Sequence, residues 1–118
     1  MEEWIAEYYD DRYGLKLLKS EGGFLFYSIV PEKKVFFIAE FHIGRAHRAS
    51  AHAFTKLMTL AREKALDEDC RFFTCKVPLG MKNSEKVLVN NLKYGFKISV
   101  ASASEIQMFK DLLEDESK

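Results

Sequence analysis

Apolar and polar positions follow different periods along this chain, and each change of period marks an element. Trp4, Ile5, Tyr8 and Tyr9 fall at i, i+1, i+4 and i+5 among Glu2, Glu3, Glu7, Asp10 and Asp11, which predicts an N-terminal helix over residues 1–13 with one apolar stripe, closed by Gly14. Leu15 to Lys19 and Phe24 to Val30 are strand-like runs. Between them Ser20-Glu21-Gly22-Gly23 predicts a hairpin turn whose glycines take positive φ. Pro31-Glu32-Lys33-Lys34 makes the next turn, and Val35 to Ile43 is a third run, apolar on both faces and so expected at the centre of a sheet under helices. Glu40 and His42 are its polar exceptions, and strict alternation puts them on the face of Phe36 and Ile38.

Beyond Gly44 the period becomes helical. Phe54, Leu57, Met58, Ala61 and Ala65 mark one face, Ser50 is the expected N-cap, and Asp67-Glu68-Asp69 ends the helix. Arg71 to Val77 predicts a strand stopped by Pro78. A second long helix opens at Asn83 or Ser84, carries Val87, Leu88, Leu92 and Tyr94, and closes at Gly95. Phe96 to Val100 predicts a strand. Ile106, Met108, Phe109, Leu112 and Leu113 fit a strand or a helix, and residues 114–118 form an acidic tail. This order describes an α/β (α+β) fold, one domain over residues 1–118 with a mixed sheet flanked by helices. Its cleft is expected where the third and fourth strands part, beyond Ile43. A mostly apolar last strand at a sheet edge would favour pairing with a second copy, a homodimer.

Composition narrows the function. The chain has 118 residues, 47% apolar, and its ten Phe, five Tyr and one Trp build a core without disulfides. Eighteen basic residues balance eighteen acidic ones, so no overall field recruits nucleic acid or an acidic membrane. No apolar run approaches the ~18 residues of a membrane span. Met1-Glu2-Glu3-Trp4 is acidic where a signal peptide is basic, so a cytoplasmic protein is expected. Cys70 and Cys75 lack paired metal or redox spacing and fit two reduced, packed thiols. His42, His47 and His52 recur across strand, loop and helix and would diverge, so no metal site is expected. The basic stretch from Arg45 to Lys64 lacks the interleaved aromatics of an RNA-binding surface.

The strongest chemical signal is the small, basic loop Gly44-Arg45-Ala46-His47-Arg48-Ala49-Ser50-Ala51-His52-Ala53 between the central strand and a helix start. Helix-start amides, the positive end of the helix dipole and two arginines together receive phosphate. The same residues also fit plain helix initiation with solvated arginines.

At this point the sequence resembles the GNAT superfamily of acyl-CoA N-acyltransferases, over about residues 15 to 113. The matching stretches are Arg48-Ala49-Ser50-Ala51-His52-Ala53, with Arg48 at the arginine of the pyrophosphate loop, and Asn83 to Phe96 ending in Tyr94-Gly95-Phe96. Glu105 to Lys110 is similar to the family's last strand. The chain also resembles short, divergent GNAT-like proteins of tailed bacteriophages. The resemblance implies a mostly antiparallel sheet of about six strands without the usual first strand. It implies acetyl-CoA as co-substrate, an amine acceptor, direct attack and no metal. Phe41, Ile43, Arg45, Arg48, Ala49, Ser50, Ala51, Ala53 and Asn91 would then border the cofactor, with carbonyl polarisation from a backbone amide of the Phe41 to Ile43 stretch. Glu40 or His42 would take the proton from the amine, on the strand where the family often carries its base. The sequence departs from the pattern at Ala51 and Ala53, where glycines are usual, and at Asn91, where a general-acid tyrosine is usual. Those departures imply the alternative of a catalytically silent GNAT-fold module, virion-associated or host-interacting. Glu40 and His42 equally fit a solvated carboxylate and a satisfied histidine.

Overall fold

A computed structural model describes residues 2–48 and 51–113. Its elements are α1 (Glu2–Tyr13), β1 (Lys16–Ser20), β2 (Gly23–Val30), β3 (Val35–Ile43), α2 (His52–Asp67), β4 (Phe72–Pro78), α3 (Ser84–Tyr94), β5 (Lys97–Ala101) and β6 (Glu105–Asp111). Single 3-10 turns, Pro31–Lys33 and Arg45–His47, enter and leave β3. The strands form one six-stranded sheet in the order β1-β2-β3-β4-β6-β5, antiparallel except for β3 against β4.

Local chemistry sets most of these boundaries. Gly14 closes α1 by donating to the Asp10 carbonyl, while Leu15 reaches back to Tyr9. Only Glu21 and Gly22 separate the paired Ser20 and Gly23, so the hairpin loop has two residues. Of its two glycines Gly22 alone has positive φ, at 92°, and a Cβ there would meet His47 Cγ at 2.9 Å. The turn is thus fitted against the loop after β3, which Gly44 joins by donating to the Gly22 carbonyl. Helix α2 begins at His52 with Ala51 in the N-cap position; Ser50, expected there, lies outside the described residues, as do Ala49 and the acidic tail. Pro78 is the last residue of β4 rather than the first beyond it.

The core lies between the sheet and the α2/α3 layer. Leu25, Tyr27, Phe36, Ile38, Phe73, Cys75, Val77 and Met108 point to that side and meet Phe54, Leu57, Met58, Ala61 and Ala65 of α2. Tyr27 stacks on Phe36, and Phe73 on Phe96 at the end of α3.

Three expectations change. Strict alternation along β3 fails because Phe26 pairs with Glu40 while Tyr27 pairs with Ile38, leaving Ala39 as a bulge. Antiparallel partners share a face, so Glu40 and His42 lie with Phe26 and Phe24, opposite Phe36 and Ile38. The last strand is not an edge: β6 runs between β4 and β5, and the edge is β5, whose residues are all exposed. With both of its sides paired, β6 offers no free edge for a second copy to join. Finally, the stripe on α1 is not buried. Tyr9 stacks on Phe26 at 4.2 Å between ring centres, but Trp4, Ile5 and Tyr8 are exposed, with Trp4 at 72%.

Candidate active site: the parting of β3 and β4

Parallel pairing of β3 with β4 lasts for four residue pairs, from Val35↔Phe72 to Ile38↔Cys75. Both strands continue, β3 to Ile43 and β4 to Pro78, but they no longer pair. The sheet opens at Ile38, five residues before the expected point, and it opens at the Ala39 bulge, which bends and twists its strand.

Two spaces occupy this opening. A cleft of about 550 Å3 lies on the α2/α3 side, lined by Phe41, Ile43, Arg48, Ala51 and Phe54 on one wall; His42 also borders it, although register places its side chain on the opposite face of the sheet. Lys82, Asn83, Lys86, Val87, Asn90 and Lys93 form the other. A smaller space of about 40 Å3 sits where the strands separate. It is bordered by Met58, Val87, Asn91 and Phe96 from the helical side, and by Glu40 and Lys76, which register places on the other side of the sheet. The parting of the strands is therefore bordered by residues of both faces of the sheet.

The electrostatics of the large cleft are cationic. Arg48, Lys82, Lys86 and Lys93 line it, and among the described residues no carboxylate does. Helix α2 starts on it with no acidic residue in its first turn and, among the described residues, no side-chain cap at Ala51, so the positive end of the helix faces the cleft. Ala51 has φ of −78° and Ala53 lies within α2, so alanines stand there in ordinary backbone conformations.

The candidate residues are not all brought together. Phe41, Ile43, Arg48 and Ala51 line the large cleft, and Arg48 Nε donates to the Ile43 carbonyl at 2.7 Å, tying the loop to the end of β3. Arg45, exposed in its 3-10 turn, does not line the cleft. Ala53 is buried, its Cβ 3.2 Å from where a Cβ on Gly22 would stand, so it packs under the hairpin turn. Asn91 borders the small space, 3% exposed, and its Nδ2 donates to Cys75 Sγ and Met108 Sδ, each at 3.7 Å. Sulfur is a weak acceptor, so this amide is buried with little compensation. Burial pushes the Cys75 thiol up to about 12, which removes it as a nucleophile near neutral pH. Among the described residues no cluster of His, Cys, Asp and Glu could hold a metal ion. No described helix is long and apolar enough to cross a membrane.

Sequence reasoning missed the second wall. Lys82, Lys86, Asn90 and Lys93 are spaced by four, four and three residues, which places them along one side of α3 and the turn before it. That stripe was visible, but polar residues at helical spacing ordinarily mark a solvated face.

No family model matches the chain, and no curated protein matches it. Solved structures do. The chain superposes on nourseothricin acetyltransferase with a TM-score of 0.64 and 17% identity, over 77% of this chain and 58% of that one. Against an acetyltransferase of the GNAT family from Streptococcus pneumoniae the TM-score is 0.60 and the identity 16%, over 76% and 59%. The fold is that of the GNAT acyltransferases. PaiA N-acetyltransferase from Thermoplasma acidophilum, in complex with coenzyme A, gives 0.63 at 16% identity over 93% of this chain and 76% of that one. The chain thus spans well under two thirds of the first two proteins.

Proposed function

We propose that this chain is an acyl-CoA N-acyltransferase that takes acetyl-CoA in the opening between β3 and β4 and acylates an amine by direct attack. The observation that carries this reading is the parting of β3 and β4 beyond Ile38. A cationic cleft suited to an anionic nucleotide carrier lies on one side of it, and Glu40 borders the space between the strands. Arg48, Lys82, Lys86 and Lys93 would hold phosphate oxygens together with the first amides of α2. Phe41, Ile43, Phe54 and Val87 supply apolar walls for the carrier's chain.

The thioester supplies an activated acyl group: as the amine nitrogen bonds to its carbonyl carbon the carbon–sulfur bond breaks, giving an amide and a free thiol. Glu40, exposed beside the parted strands, is the group that receives the proton the nitrogen loses, directly or through water. His42 stands two residues further along the same face, its ring 5.6 Å from that of Phe24. Backbone amides of Phe41 to Ile43, on the unpaired side of β3, are the candidates for polarising the carbonyl. Asn91 cannot give a proton to the departing thiolate, so water does so.

Asn91 also favours a second reading, a silent module of the same fold, virion-associated or host-interacting. Its buried amide stands where chemistry would need an acid. Thiol release from acetyl-CoA against a panel of amines separates the two. Amine-dependent release that falls at least tenfold in Glu40→Gln, with KM for acetyl-CoA unchanged, supports the enzyme. Bound CoA without amine-dependent release overturns it in favour of the silent module.

A further inference from the structure

Among the described residues that line the cationic cleft none belongs to the turn between β1 and β2, yet that turn is built against the segment that brings Arg48 there. The Gly22 carbonyl accepts from the Gly44 amide at 2.8 Å. A Cβ on Gly22 would stand 2.9 Å from His47 Cγ, 3.1 Å from His47 Nδ1 and 3.2 Å from the Ala53 Cβ. The turn therefore touches both the 3-10 turn that precedes Arg48 and the first turn of α2. Gly23 has no positive φ to explain it, but a Cβ there would stand 2.7 Å from the His42 carbonyl oxygen and 2.8 Å from Ile43 Cδ1. Close approach of a second chain segment is what a glycine at such a strand position permits. Glu21 adds an exposed ion pair to Lys56 of α2 at 3.7 Å, a weak tie of the same two parts.

These contacts lie on either side of Arg48. Ile43, against which Gly23 is fitted, gives its carbonyl to Arg48 Nε at 2.7 Å. The 3-10 turn leading to Arg48 is closed by the His47 amide on the Gly44 carbonyl at 2.9 Å, and Gly44 is the residue the hairpin turn holds. Arg48 itself is exposed, so its direction follows from the backbone around it rather than from packing of its own side chain. Pairing of Ser20 with Gly23 already completes the two-residue hairpin, so the contacts with residues 44, 47 and 53 serve the loop and not the turn.

We propose, building on the transferase reading, that the β1–β2 turn is a strut that holds the loop before α2 in its anion-receiving shape. Gly22 and Gly44 are then positioning residues for phosphate binding, although neither lines the cleft. A loop ordered before the ligand arrives loses no affinity to being ordered, and removing the strut restores that loss. By linkage, a bound anion in turn steadies the hydrogen bond between Gly44 and Gly22.

The test compares calorimetric CoA affinity in the wild-type chain and its variants. Gly22→Ala drives a methyl group into the His47 ring. Gly44→Pro suits the loop's own backbone, whose φ there is −59°, but removes the amide that the Gly22 carbonyl accepts and puts ring atoms in its place. Gly14→Ala is the control, with a comparable left-handed strain at φ of 67° and nothing within 4 Å of the added Cβ. Gly22→Ala and Gly44→Pro should each weaken CoA about tenfold, the loss of one charge-assisted contact, and the gap should narrow at about 1 M salt, where arginine–phosphate attraction is screened. Gly14→Ala should lower the melting temperature with affinity unchanged. Adding His47→Ala to Gly22→Ala should recover most of the affinity by making room for the methyl group. In the wild-type chain CoA should slow hydrogen exchange of the Gly44 amide more than that of the Lys34 amide, which closes a turn at the other end of β3. Affinities of the two strut variants within about twofold of wild type, a loss that Gly14→Ala shares, a gap that salt leaves unchanged, no recovery with His47→Ala, or equal slowing of the two amides would each overturn the strut and leave the transferase reading intact. A wild-type chain that binds no CoA would defeat both.

Discussion

Replacing Gly95 with alanine should expose how the end of α3 is locked to the sheet. Gly95 has φ of 113°, a conformation that L side chains rarely adopt, and a Cβ built there would stand 2.5 Å from Lys110 Nζ. Lys110 is only 3% exposed; its ammonium donates to the Tyr94 carbonyl at 3.1 Å and lies 4.9 Å from the centre of the Tyr94 ring. The backbone term costs about 1–2 kcal/mol. Moving a buried ammonium off its acceptor adds about 1–2 kcal/mol, since a hydrogen bond to a charged group is worth roughly that much. Gly95→Ala should therefore cost about 2–4 kcal/mol by urea unfolding, or roughly 10 °C in melting temperature for a chain of this size. The measurement that isolates the contact is a double-mutant cycle with Lys110→Met. In that background the collision is gone and only the backbone term should remain, giving a coupling of about 1–2 kcal/mol. An equal loss in both backgrounds would show that Lys110 does not stand over Gly95, and a loss under about 0.5 kcal/mol would show that Gly95 does not hold positive φ.

Other expectations are as direct. Cys75, its thiol pushed from about 9 to about 12 by burial, should be about 1000-fold less ionised than an ordinary thiol at pH 8 and correspondingly slow to alkylate until urea unfolds the chain; rapid labelling of the folded protein would contradict its burial. Asn91→Leu should raise stability by up to about 1 kcal/mol, because it removes an amide satisfied only by sulfur, yet it should reduce acyl transfer by filling the space between the strands. Unchanged transfer would remove that space from the reaction path. Arg48→Glu should abolish CoA binding while leaving the melting temperature within a few degrees, since Arg48 is exposed; unaltered affinity would show that the loop before α2 is not the phosphate site.

The element order was legible because punctuation sits at nearly every boundary: Gly14, Glu21-Gly22, Pro31, Gly44 and Gly95 each fall at an element end. What escaped has identifiable causes. The bulge at Ala39 carries no glycine or proline, so simple alternation assigned Glu40 and His42 to the wrong face. The insertion of β6 between β4 and β5 is a choice among non-local pairings, and the run Ile106 to Phe109 fits an edge and an interior equally. The α1 stripe was correctly seen as apolar, but its exposure depends on how far the sheet extends beneath it, which periodicity does not report. In the candidate site, the loop arginine Arg48 was visible from charge and position. The lysine wall of α3 was visible as spacing alone and acquired meaning only once α3 was seen to face the end of β3.

Binding of a CoA thioester between the parted strands is tested most directly by the melting temperature at saturating CoA, beside the Lys82→Glu/Lys86→Glu variant. Ligand at about 100 times its dissociation constant adds about 2.7 kcal/mol to the unfolding free energy. The wild-type protein should gain roughly 10 °C, a rise lost in the variant. A wild-type curve that saturating CoA leaves unmoved would contradict such binding.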